Sequence, residues 1–315
     1  MKINTEFMQK QATTQRVYHE TEVEWLKLLD RKLNFLYNAE IQRQLVSMNE
    51  REGAQVLHVG PDAGIPTTTT VFNKGSAVSH LQSIAHDIMT TGIETRSKNL
   101  QADPHLRKSL QEWFGGQNSL RLWLYGNQVT MVSATVYAAA MDRRRPCIAF
   151  TGRHHSSGQQ LNNQEILFRM VYSLLFQLLL QFDDDSTIFV TDVGGSFEDL
   201  DLSMNSMPVA LRYFKYFLIL VPQCICIIDG WQFIGNSAEG EVTKFLKDFL
   251  DLFQRPPGPV GVGGWDDSNL LLLTSSGNSQ ILRDLGQNYV RGFSVTGHFA
   301  SNGPRLYTSL LGMEW

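Results

Sequence analysis

Apolar positions give the chain two textures. From about residue 120, short and nearly unbroken apolar runs alternate with segments whose apolar residues recur every three or four positions. The runs are 122-LWLY, 146-PCIAFT, 223-QCICII and 269-NLLLLTS. Continuous runs of this length predict strands covered on both faces, as in a parallel sheet. In 164–182, Arg169, Ser173, Gln177 and Gln181 form one polar line in an otherwise apolar segment, so a largely buried helix is expected. In 240–254, Val242, Phe245, Leu246, Phe249, Leu250 and Phe253 make a single stripe, ended by 255-RPPGPVGVGG-264. After the first run, a helix-like pattern takes over from Val132. Strands alternating with helices predict an α/β fold built on a parallel sheet.

The earlier part of the chain reads differently. In 21–45, Trp25, Leu28, Leu29, Leu33 and Leu36 recur at helical spacing amid charge, which predicts helices. The stretch 53–75 is rich in Gly, Pro and Thr and reads as a loop or linker. A second helical stretch, near 77–113, is broken by Pro104. The expected organisation is a helical region over 1–52, a linker over 53–75, a helical lead-in over 76–118, an α/β domain over 119–300 and a tail over 301–315. No internal repeat is visible.

Composition narrows the class. Apolar residues make up 43% and charged residues 18% of the 315, the balance of a folded chain. A formal charge of -4 gives no general attraction to nucleic acid or anionic membrane. The best basic patch, Arg143-Arg144-Arg145, reads as a run opposing a helix dipole. The three cysteines, Cys147, Cys224 and Cys226, lie in apolar runs and read as small buried hydrophobes in a reducing compartment. With no apolar leader in MKINTEFMQKQ and no run long enough to span a bilayer, a cytoplasmic protein is expected. His154-His155, Asp183-Asp184-Asp185 and Gly194-Gly195-Ser196 read as solvated loop, helix breaker and turn.

Ligands of open parallel sheets bind beyond the carboxyl ends of the strands. Three ends stand out: Gly126, Asp229 within 225-ICIIDGWQF-233, and Thr274-Ser275 within 270-LLLLTSSGN-278. An apolar strand ending in Asp is also the form of a Mg²⁺-holding site in phosphoryl-transfer NTPases. Over roughly 105–290 the order of these features resembles the nucleotide-binding domain of the fungal NACHT/STAND family, the nephrocystin type. The segment 110-LQEWFGGQNSLRLWLYGN-127 resembles that family's lead-in and first strand, and 132-VSATVYAAAM-141 its following helix. The segment 146–182 is similar to its second strand and helix, 225-ICIIDGWQFI-234 to its acidic strand, and 270-LLLLTSS-276 to the strand after. The resemblance implies a P-loop NTPase-like domain behind a helical N-terminal region.

The departures from the family pattern concern chemistry. A phosphate loop needs glycines, a Lys and a Ser or Thr so that backbone N–H groups converge on phosphate. Here Gly126 stands alone and no Lys follows. Gln232 and Phe233 occupy the two later acidic positions, and Ser276 stands where the family has an arginine. The expectation is a non-catalytic NACHT/STAND-like interaction or regulatory module. Gly126, Asn127, Asp229, Thr274 and Ser275 would form a vestigial nucleotide site, without catalytic residues or metal. No cofactor is expected, with Mg-ATP or Mg-GTP as the ligand should residual binding survive. The resemblance implies protein partners, bound through the N-terminal helices or the sheet domain, and leaves self-association open. Two alternatives stand beside it: an ATP/GTP-dependent switch whose phosphate loop is missing from a mis-spliced or truncated gene model, and an unrelated intracellular α/β enzyme.

Overall fold

The computed structural model describes residues 69–84, 100–115, 120–152, 162–183, 187–191, 193–235, 240–253, 269–286, 289–295 and 305–312. The chain divides into two units, Met1–Thr69 and Thr70–Trp315. All but the last residue of the first unit lies outside the described residues, as do the helix expected over 21–45 and His154-His155.

The centre of the second unit is a five-stranded parallel sheet flanked by helices. In chain order its strands are β2 (Arg121–Tyr125), β3 (Cys147–Thr151), β5 (Ile225–Asp229), β6 (Leu270–Ser275) and β7 (Arg291–Ser294). In space the order is β3-β5-β6-β2-β7. The four apolar runs are therefore β2, β3, β5 and β6, and the α/β expectation holds. β7 and a separate two-stranded sheet of β1 (Thr69–Asn73) with β4 (Thr187–Thr191) are additional. Part of the 53–75 stretch read as a loop is thus strand, and Lys74-Gly75 open the next helix.

The helices are α1 (Lys74–Ile84), α2 (Pro104–Phe114), α3 (Val129–Asp142), α4 (Asn163–Leu179), α5 (Met207–Leu220), α6 (Gln232–Gly235), α7 (Glu241–Asp251), α8 (Gln280–Leu285) and α9 (Leu306–Leu311). Pro104 starts α2 rather than breaking a longer helix. Asp103 caps it by accepting from the Leu106 N–H at 2.8 Å, and a proline in the first turn forfeits no intrahelical bond.

Strand alternation splits the core in two. Leu122, Leu124, Ala149, Ile225, Ile227, Leu270 and Leu272 face α2, α3 and α9. Trp123, Ile148, Phe150, Cys226, Ile228, Leu271 and Leu273 face α4, α5, α7 and α8. Right-handed crossovers account for this division. The chain moves in one direction across the sheet from β2 to β3, which places α3 on one face. Every later step moves the opposite way and places its helices on the other.

The C-terminal segment read as a tail packs as a helix. Leu306 and Leu310 of α9 are fully buried, the Leu306 N–H bonds the Leu100 carbonyl, and Gln111 reaches the Ser309 carbonyl. Two of the three arginines are built into packing, while Arg144 between them is exposed. Arg143 donates to the Leu311 carbonyl, and Arg145 to the carbonyls of Gln223 and Phe114. All three cysteines are buried and unbridged, as expected.

Candidate functional site

The site follows from topology. β2 sends its chain toward the β3 edge, whereas its neighbour β6 sends its chain the other way, across β2 to β7. A crevice between strands whose connections diverge is where open parallel sheets hold ligands. Asp229 ends β5, Thr274 lies on β6 opposite it in register, and Leu124 of β2 lies opposite Thr274.

The connection that enters this crevice is short. β2 ends at Tyr125 and α3 begins at Val129, three residues earlier than the apolar pattern implied, leaving only Gly126, Asn127 and Gln128 between them. Gly126 adopts φ 129°, a region that favours glycine, and Gln128 adopts the left-handed φ 62°. The Gly126 N–H donates to the Ser275 carbonyl at 3.0 Å, anchoring the turn to β6. Asn127 is exposed.

Because α3 starts so early, its first turn lies directly over the strand ends. The Thr130 hydroxyl donates to Asp229 Oδ1 at 3.1 Å, and the Thr274 hydroxyl donates to the same oxygen at 2.6 Å. Ser133 Oγ lies 3.0 Å from Thr274 Oγ1. A hydroxyl carries one proton, and that of Thr274 is committed to Asp229, so Ser133 is the donor in this pair. Asp229, Ser133 and Thr274 are all essentially inaccessible to solvent. Buried polar groups must find partners, and here three hydroxyls and one carboxyl group form a connected set.

Among the expected site residues, the structure brings Asp229 and Thr274 together. Ser275 follows Thr274 by one position and points to the opposite face, where it accepts from Trp123 Nε1 at 2.9 Å and donates to the Gly277 carbonyl at 2.5 Å. Gly126 contributes backbone and Asn127 makes no part of the cluster. Thr130 and Ser133 were not anticipated as site residues. The signal for them was a Thr and a Ser spaced three apart at the start of a mostly apolar helix that follows a strand.

Gln232 Oε1 accepts from the Ser276 N–H at 3.2 Å, and Phe233 stands exposed. β3 ends at Thr151, and the N–H of the next residue, Gly152, donates to the Asp229 carbonyl at 2.7 Å. A Cβ at 152 would sit 2.9 Å from the Gly230 carbonyl oxygen, so glycine is needed for this approach. The turn reading of Gly194-Gly195-Ser196 also holds: Gly194 has φ 65°, Tyr213 donates to the Gly195 carbonyl, and Ser196 caps a short 3-10 turn.

Among the described residues, no group of three or more His, Cys, Asp and Glu side chains is placed to hold a metal ion, and no helix is long and apolar enough to cross a membrane. Comparison of the chain with family models, with curated proteins and with solved structures gives no match. The class defined here is thus an α/β domain with a five-stranded parallel sheet flanked by helices, whose polar cluster lies at the topological switch point.

Proposed function

We propose that this chain is a degenerate NACHT/STAND-like, P-loop NTPase-like protein acting as a non-catalytic interaction or regulatory module. The observation that carries the reading is the three-residue link between β2 and α3, too short for a phosphate loop. A nucleotide-hydrolysing site would lay a longer glycine-rich turn over the phosphates and supply a Lys to them. Here Thr130 of α3 and Thr274 of β6 bond the Asp229 carboxyl group. The link has one glycine and no lysine, and Gln232 bonds backbone where an acid would orient water. The residues present therefore do not fit a Mg-nucleoside triphosphate, and no hydrolytic step is assigned. The resemblance to the NACHT/STAND family then favours protein contact as the role of the scaffold.

The reading is tested by the thermal midpoint of the purified chain with and without millimolar Mg-ATP, Mg-ADP and Mg-GTP. A ligand at about 100 times its Kd stabilises a fold by roughly 2.7 kcal/mol. No shift is expected with any of the three. A clear shift accompanied by phosphate release would overturn the proposal.

A further inference from the structure

We draw no further inference here: the strongest candidate, the exposed apolar pair Met131 and Phe233 carried by the first turn of α3 and by α6 at the carboxyl edge of the sheet, is an unpartnered apolar surface, and nothing in the structure shows what covers it.

Discussion

Gln177 closes the open edge of the sheet at Ala149. Its side-chain oxygen accepts from the Ala149 N–H at 2.8 Å, and its side-chain nitrogen donates to the Ala149 carbonyl at 2.8 Å. β3 is an edge strand paired only with β5, so alternate residues turn their backbone groups outward. One amide on α4 satisfies both groups of the central outward residue, which blocks the edge as a template for another strand.

Gln177→Leu keeps the volume and removes both edge bonds, together with the contact to Ser173. Leaving a buried donor and a buried acceptor unpaired costs about 1–3 kcal/mol each, so a loss of about 2–6 kcal/mol is expected. The midpoint of urea unfolding reads it directly. Ser173→Ala, which removes only the 3.1 Å contact from Gln177 Nε2, should cost about 1 kcal/mol or less. Equal losses in the two variants would show that the edge bonds contribute nothing of their own.

Thr274→Val tests the cluster around Asp229. The substitution is close to isosteric and removes the 2.6 Å bond to Asp229 together with the acceptor for Ser133. A destabilisation of about 1–3 kcal/mol is expected. Thr130→Val, at a half-buried position, should cost less. Because both hydroxyls bond one oxygen, the double variant should depart from additivity by about 0.5 kcal/mol or more. Strict additivity in the unfolding midpoints would mean that the two act separately.

Gly152→Ala should destabilise the fold by about 1–3 kcal/mol, because the new methyl group meets a backbone carbonyl that cannot swing away. Gly277→Ala is the control. A Cβ there meets nothing within 4 Å, and a change within about 0.5 kcal/mol is expected. Thermal midpoints of the two variants suffice to compare them.

Burial pushes the Cys224 thiol up to about 12, and it also raises Cys147 and Cys226. Thiols in the unfolded chain ionise near 9.0, so the folded state holds these protons to higher pH. The Cys224 contribution is therefore fully present below about pH 9 and is lost as pH rises through about 12, with a slope of up to about 1.4 kcal/mol per pH unit, and the other two thiols act in the same direction. Urea titrations between pH 8 and 11 should show this fall, and Cys224→Ala should make it shallower. Identical slopes in the two proteins would remove Cys224 from the account.

What the sequence disclosed depended on how completely each element is buried. β2, β3, β5 and β6 are covered on both faces, so their apolar runs stood out. β7, with sequence RGFS, is an edge strand of intermediate and exposed positions and carries no such run. β1 lay hidden in a Thr-rich stretch that resembles a loop. The start of α3 was set three residues late because Gln128 caps it through backbone geometry alone, without a side-chain hydrogen bond to advertise a cap. Asp229 and Thr274 were legible because strand ends in a parallel sheet are a known address. Thr130 and Ser133 were not, because a hydroxyl on a helix reveals its partner only once the strand order is known. Ser275 was grouped with Thr274 by adjacency, although neighbouring residues on a strand face opposite ways.

The brevity of the turn at Gly126–Gln128 also bears on how this chain could change over generations. Exchanging side chains within the turn cannot lengthen it, and moving α3 back from the sheet would strip Asp229 of the Thr130 hydroxyl, take Ser133 from Thr274, and uncover Val129 and Val132. Acquiring an anion cradle here would require added codons together with repacking of an entire helix. Single substitutions therefore leave the protein in its present state, and drift at these three positions is confined to variation in a tight bend.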